Sequence, residues 1–439
     1  MATTVIIGGG IIGVSTAYYL SEHQHGSTIH LVEVSEELFS SASGFAGGFL
    51  AKDWFSPATA SLGALSFEQH RLLAEKHGGR ERWGYAGTTS VSYTARPTTR
   101  GGGERKRRGN DWIWNGTSRA DAAANAAGAG EGDVVVTAAD NPAGKAAPKW
   151  LRRVAGDEVE VIGDAGTTAQ VDPLRLCRFL LAECLARGVQ LHHPATVISV
   201  SKDVLRGELS SVCIADSDKS TEVDVPCTRV IIAAGAWSGR VFRGLFRHSR
   251  LEIPVGSLAG HSLVVRSPRW RGGLLQGEGE GEEGGGCHAV YTTSGGAGYS
   301  PEIYGRVGGE IYVAGLNSAT IPLPDVAGQA KPREEDIARL KATASELLGP
   351  EVGEDDLVVV REGLCFRPVT PRGTPIVGRV RDEDLGIGIK TRGGAEGGVF
   401  IAAGHGPWGI SMGLGTGMVL AEIVQGREVS ADVSRLGLR

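Results

Sequence analysis

The chain has 439 residues, a formal net charge of −5 and 67 glycines. That length exceeds what one hydrophobic core usually serves, so two interleaved domains are expected, and the mild acidity gives no footing for a nucleic-acid partner. No run of about 18 apolar residues appears, so no transmembrane segment is expected. Six cysteines without a C-x-x-C pair suit reduced thiols in an intracellular, cytoplasmic protein. The first apolar run begins at residue 4, from which no signal or transit peptide is expected. The ending Leu436-Gly437-Leu438-Arg439 is not a peroxisomal signal.

In chain order, the β-branched run Thr4-Val5-Ile6-Ile7 meets Gly8-Gly9-Gly10-Ile11-Ile12-Gly13, an amphipathic helical run Val14–Leu20 and a second apolar run Thr28–Val34. Gly8, Gly10 and Gly13 fill the G-x-G-x-x-G pattern. The first permits a tight turn, the second lets backbone approach a pyrophosphate, and the third lets helix pack against strand. The new helix would turn its unpaired N–H groups, from Ile11 and Ile12 onward, to the phosphates. Glu33 follows Gly13 by 20 residues and, with Val34, ends the second strand, where a carboxylate can accept ribose hydroxyls. Strand, turn, helix, strand and acid in that order predict a dinucleotide site.

The stretch from Ser40 to Trp54 is dominated by small residues, among them Ser43, Gly44, Ala46, Gly47 and Gly48 ahead of Leu50. Backbone can run close to a flat ligand there. A nicotinamide enzyme has little use for such a second cluster. A chain holding extended FAD does, because it passes the pyrophosphate again on its way to the isoalloxazine ring.

Helical spacing covers Ala58–Lys76, and Val91-Ser92-Tyr93 reads as a strand. Residues 97–148 and 276–286 are low-complexity insertions. The first is expected to be largely disordered, with a possible short strand at Val134–Val136. Its run Glu104-Arg105-Lys106-Arg107-Arg108 reads as a solvated loop ahead of a localisation or anion-binding patch. Val171-Asp172-Pro173 starts a helix over Leu174–Arg187 that stops at Gly188 and turns Cys177 and Cys184 to the core. Strands are expected at Val189–His192, Ala195–Val200, Ser211–Ala215 and Val223–Cys227. His192-His193 has no partner at metal-ligand spacing, so no metal is expected. The apolar strand through Ile231-Ile232 opens onto Ala233-Ala234-Gly235-Ala236-Trp237, as a buried parallel strand ending at a ligand does.

Further strands are expected at Ser262–Val265, Ala289–Thr292, Glu302–Tyr304 and Glu310–Ala314, alternating as antiparallel strands do. A helix follows at Glu334–Leu348 and a strand at Leu357–Glu362. The chain closes on a strand Val399–Ala403, the turn Gly404-His405-Gly406-Pro407-Trp408-Gly409, and a helix Ile410–Val424.

Gly8–Gly13 with Glu33, the loop Ser43–Leu50, Ile232–Trp237, Arg367-Pro368-x-Thr370-Pro371-x-Gly373-x-Pro375 and Gly404-His405-Gly406 together resemble the D-amino-acid oxidase superfamily. Its members include glycine oxidase, sarcosine oxidase and fungal FAD-dependent oxidoreductases of that type. The resemblance implies an α/β fold. A Rossmann-like FAD-binding domain would be drawn from residues 1–57, 165–245 and 360–439, under an antiparallel β-sheet substrate domain from 58–164 and 246–359. It implies oxidation of the C–N bond of an amino acid or secondary amine to an imine; an oxidase passing electrons to O2 to give H2O2 is the preferred reading, against an amine dehydrogenase using another acceptor or a flavin-binding protein with an interaction role and little turnover.

Roles follow from that resemblance. Val197 is the candidate for a backbone contact to adenine, and Ala233, Ala234, Gly235 and Trp237 line the cofactor. Arg367 would fork onto a substrate carboxylate, for which a planar, always-charged guanidinium is suited, against the alternative of an arginine bracing the interdomain loop. Lys52 is a second carboxylate candidate, and His261 would lie on the flavin, each against the alternative of a solvated lysine and a satisfied core histidine. The closing turn would aim the amides of Gly406, Gly409 and Ile410 at charge developing on the flavin, with Gly404 and His405 shaping it. Sarcosine oxidase-like members carry a lysine in this turn. Pro407-Trp408 stand here instead, and Trp408 would wall an apolar pocket. Cys365 falls where those members bond FAD covalently; a buried free thiol is the preferred reading.

Overall fold

Thr4–Ile7 is buried along its whole length, the condition imposed on a strand covered on both faces by other elements. It sits inside a six-stranded sheet ordered Ile376–Val380, Gly398–Ala403, Arg229–Ile232, Thr4–Ile7, Ile29–Val32 and Gln190–His192. All neighbours run parallel except the antiparallel edge strand Ile376–Val380. Side chains alternate across it. Ile6, Leu31, Ile231 and Phe400 join one core, packed by the helices Ile11–Leu20, Pro173–Ala186 and Gly409–Gln425. Val5, Ile7, Val230 and Ile401 join another, covered by the helix Ser238–Leu245 and the antiparallel sheet of Ala195–Lys202, Leu209–Asp216 and Thr221–Pro226. This computed structural model describes residues 2–94, 147–154, 157–270, 272, 287–293 and 299–438. The expected strand Val134–Val136, the basic run 104–108 and the tract 276–286 lie outside those residues.

The first and last long helices approach closely at glycines of the last one, Gly413 and Gly417. The Ser15 hydroxyl donates to the carbonyl of Gly413 at 2.9 Å. A Cβ on Gly417 would fall 2.6 Å from the Ser15 carbonyl carbon, and one on Gly13 would fall 1.9 Å from the Gly8 oxygen.

The larger sheet has nine strands among the described residues. It runs Val358–Val369, Gly256–Arg266, Glu310–Ser318, Glu302–Gly305, Cys287–Thr293, Ala86–Thr94, Thr168–Gln170 and Phe49–Ala51, with Glu158–Gly163 alongside Ala86–Thr94. Its pairs are antiparallel except Cys287–Thr293 with Ala86–Thr94, which is parallel; the alternation of single strands carried no sign of that crossover. Ile303, Val313 and Leu263 turn to a core under the helix Glu334–Leu348. Tyr304, Tyr312 and Ala314 turn the other way, toward the six-stranded sheet.

The strand expected at Leu357–Glu362 runs on through the domain boundary expected at residue 360 and pairs with Gly256–Arg266 as far as Val369. Its Pro368 is accommodated because this strand is the sheet's edge. Phe49–Ala51, Glu158–Gly163, Thr168–Gln170 and Ile376–Val380 were not anticipated as strands. Two of them are three residues long, too short for any periodicity to register.

Two buried histidines and the half-buried His30 tie stability to pH. His70 bonds the Ile410 carbonyl at 2.9 Å, and burial pushes its pKa down to about 4. Burial does the same to His405, to about 3, and to His30, to about 4, with His192 at 2.9 Å adding to it. The unfolded chain takes up these protons near 6.5 while the folded chain holds the rings neutral. Stability is therefore full above about pH 6.5 and is lost as pH falls from there toward about 4, His70 alone costing about 3 kcal/mol across that window. Melting temperature measured from about pH 7 to about pH 4.5 should fall, and less steeply in His70→Gln. Separately, Gly417→Val should destabilise by about 1–3 kcal/mol through overpacking against Ser15, read by thermal unfolding; an unchanged melting temperature would contradict the helix contact.

Candidate active site

A cavity of about 620 Å³ lies between the C-terminal ends of the parallel strands and the inward face of the larger sheet. Ile7, Val32, Ala233 and Ala403, each at the end of its strand or just past it, line its floor, where open α/β sheets bind ligands. Gly8 has φ of 113°, and a Cβ there would meet the Ala233 oxygen at 2.5 Å. Gly10, Ile11 and Ile12 line the cavity at the start of the first helix, while Gly13 serves the helix–strand contact behind it.

Two of the groups expected to meet the nucleotide also have protein partners. The Ile11 amide donates to the Ser43 hydroxyl at 2.9 Å. Glu33 accepts from the amides of Gly9 at 2.8 Å and Ser35 at 2.9 Å, one on each carboxylate oxygen. Each oxygen has a second lone pair, so the side chain is oriented by the backbone and still open to hydroxyls. Glu33 and Val34 both line the cavity.

Ser43, Ala46, Gly47 and Gly48 line the next wall; Gly44 and Leu50 are buried behind it. The loop is held by side chains far from it along the chain. Arg306, fully buried, donates to the carbonyls of Ala46 at 2.8 Å and Gly47 at 2.9 Å. Gln170 reaches the Gly47 carbonyl at 2.6 Å and Arg361 the Gly44 carbonyl at 3.0 Å. Gly47 leaves no room for a side chain, since its Cβ would lie 2.4 Å from the Tyr304 ring.

At the far end Val197 stands with Thr196, Arg240 and Val241 beside Ala233, Ala234, Gly235 and Trp237. The Trp237 indole and Arg240 both donate to the Pro324 carbonyl, at 2.8 and 3.0 Å, which brings Asp325–Ala327 to the rim. Of the closing turn, His405, Gly406, Gly409 and Ile410 line the cavity. Gly406 has φ of 57°, and nothing would meet a Cβ there within 4 Å. Gly404 is packed against Thr370.

Three expected residues are elsewhere. His261 faces away from the cavity: its Nε2 accepts from the Arg333 amide at 3.1 Å and its Nδ1 is 3.6 Å from Asp336. Residues 260 and 262 occupy the inward positions of that strand, so alternation sends His261 outward. Lys52 is exposed, beyond the cavity wall. The Trp408 ring packs edge-on against Phe55 at 4.9 Å rather than walling the pocket.

The wall facing the floor carries Cys365 and Arg367. The Arg367 guanidinium lies over Gly260, whose Cβ would fall 2.2 Å from Nη1, and it bonds the Asn317 side chain. Glu302, Tyr304 and Tyr312 complete this wall and were missed. The Tyr304 hydroxyl donates to Glu302 at 2.8 Å, and the rings of Tyr304 and Tyr312 stack at 5.7 Å with 3° between planes. Their strands had been read, but which face turns inward depends on the partner layer.

The cavity suits an extended dinucleotide. The glycines at 8, 10, 47 and 406 put bare backbone on or close behind its walls. The buried Ser40 hydroxyl, on the same wall, has no hydrogen-bond partner among the described residues.

A family model described as FAD dependent oxidoreductase (DAO) matches residues 3–423. The Schizosaccharomyces pombe protein C1F5.03c, provisionally named an oxidoreductase, is 26% identical over 98% of this chain and 96% of its own length. Among solved structures, glycine oxidase from Geobacillus kaustophilus superposes with a TM-score of 0.68 at 20% identity, covering 100% of this chain and 98% of that one. The L-amino acid deaminase of Proteus myxofaciens, in complex with anthranilate, gives 0.64 at 17% identity, covering 100% and 93%. The chain belongs to the FAD-dependent oxidoreductase (DAO) family, and FAD is its cofactor.

Proposed function

We propose that the chain oxidises the C–N bond of an amino acid or secondary amine to an imine, with O2 as electron acceptor and H2O2 as product. The observation that carries this reading is Arg367: a guanidinium on the cavity wall beside Cys365, laid over a glycine and steadied by Asn317. One N–H on Asn317 leaves others of the five in the fork for a carboxylate. FAD, when bound, supplies the acceptor for the hydride equivalent leaving carbon.

The protein's own contribution is orientation and electrostatics. Arg367 fixes the carboxylate and thereby the C–N bond. The rings of Tyr304, Tyr312 and Phe49 put apolar surface on the cavity beside Arg367, which limits water there and strengthens each charged contact inside. Gly409 and Ile410 begin the last helix on the cavity wall, with no side-chain cap on it. Its dipole therefore favours negative charge accumulating there. His70, on the Ile410 carbonyl, holds that helix start in place. His405 contributes shape as a neutral ring, its Nε2 paired with the Thr416 hydroxyl at 3.0 Å.

We take the flavin to be held without a covalent bond. The thiolate is the reactive form of cysteine, and burial pushes the Cys365 thiol up despite Arg367 and Arg361 nearby. Acid precipitation should release all yellow colour into the supernatant; colour kept in the pellet would contradict this.

Mixing the holoprotein anaerobically with a panel of amino acids and amines should bleach the flavin, and readmitted air should restore it with release of peroxide. Recovery only with an added dye would make the enzyme a dehydrogenase. Arg367→Ala should keep its bound flavin and raise KM for carboxylated substrates roughly 100-fold. Unchanged kinetics would remove Arg367 from substrate binding.

A further inference from the structure

Arg306 is a cation with 3% exposure whose side-chain hydrogen bonds, among the described residues, all go to backbone oxygens of the small-residue loop. Arg361 bonds the same loop at Gly44 and leaves its Nη2 buried without a partner among those residues. Burial pushes the Arg306 guanidinium down, Arg361 adds to that, and Asp172 opposes it from a distance. No carboxylate of the described residues comes within 4 Å of either guanidinium. A guanidinium stays protonated even there, so two like charges stand behind the loop without an ion-pair partner.

The loop passes that charge toward the cavity. In a trans peptide unit the carbonyl and the N–H point opposite ways, and the units here are trans. Arg306 and Gln170 hold the carbonyls of Ala46 and Gly47 from outside the cavity lining, while Gly47 and Gly48 line it. The amides of Gly47 and Gly48 thus turn away from Arg306 on the cavity side. Neither donates to a protein acceptor among the described residues. A cation on the carbonyl polarises the N–H at the other end of the same unit. A second route is Tyr312, which lines the cavity and carries the Arg306 guanidinium 5.2 Å from its ring centre.

The loop's own contacts say which part of FAD this is. It begins at the first glycine turn, where Ser43 takes the Ile11 amide. Gly47 abuts the Tyr304 ring, on the wall that carries Arg367, and the Ala51 amide donates to Ser411 of the last helix at 3.0 Å. Glu33 lies at the other end of this run, so Gly47 and Gly48 belong to the isoalloxazine end. A flavin that accepts a hydride equivalent gains two electrons and one proton, hence one negative charge. Fixed positive potential in a low-dielectric wall stabilises that product over the neutral oxidised ring.

We propose that Arg306 is a positioning residue for the redox step: it aims the Gly47 and Gly48 amides at the isoalloxazine and, through them and Tyr312, favours the reduced, anionic flavin. The inference rests on FAD as cofactor and is independent of which amine is oxidised.

The test is the midpoint potential of the bound FAD, measured on the full-length holoprotein at about pH 7 by reductive titration with dithionite against a reference dye. Arg306→Lys and Arg306→Gln both lose the fork and keep one donor for the loop, so they differ in charge. The potential of Arg306→Lys should lie about 30 mV or more above that of Arg306→Gln, a tenfold difference in the reduction equilibrium. Equal potentials in the two variants overturn the proposal, since lost loop geometry is common to both. The wild-type protein should in turn hold its FAD at a higher potential than free FAD. A wild-type value at or below that of free FAD overturns the proposal without any variant.

Discussion

The architecture depends on backbone touching backbone where side chains are missing. Gly8 lies on Ala233, Gly13 on Gly8, and the helix carrying Gly413 and Gly417 lies on the one carrying Ser15. The last of these joins segments some 400 positions apart, the Ser15–Gly413 bond spanning 398. A methyl group at such a point costs more than a void elsewhere, because neither helix nor strand can retreat without dragging the sheet with it. With the first and last helices clamped together, the first glycine turn and the closing turn at Gly404–Gly409 come to lie on one cavity.

From that clamp the rest of the site is positioned in layers. The parallel sheet ends at the floor, and the larger sheet supplies the opposite wall. Between them the small-residue loop is held at three carbonyls by Arg306, Arg361 and Gln170. Arg306 is a buried cation whose hydrogen bonds go to backbone oxygens, which orders the loop and adds positive potential close to Tyr312. Loop geometry and electrostatics are thus set by the same residue, in a low-dielectric place where charge acts over distance.

Much of this was legible in the amino-acid order. The G-x-G-x-x-G turn, Glu33, the Ser43–Gly48 loop, Ala233–Trp237 and the closing turn are local patterns with local causes, and most of their residues line one cavity. What failed was everything needing knowledge of which face turns inward. His261 sits one position away from the inward row of its strand. Trp408 finds a better partner in Phe55. Lys52 follows the strand Phe49–Ala51 out to solvent. Glu302 and Tyr304, on a strand of four residues, and Tyr312, on the strand beside it, were passed over for the same reason in reverse: a strand shows its inward face only once a second layer lies against it. Arg306 and Arg361 bond backbone more than 250 positions away, and no spacing rule connects them.

The account stands on a chain folded around one FAD. Heating the purified protein and measuring the flavin released against protein concentration tests this directly. About one FAD per chain is the result the fold requires, since one cavity draws on the first, middle and last parts of the sequence. Colourless protein that also takes up no FAD when titrated with it would contradict the account at its root.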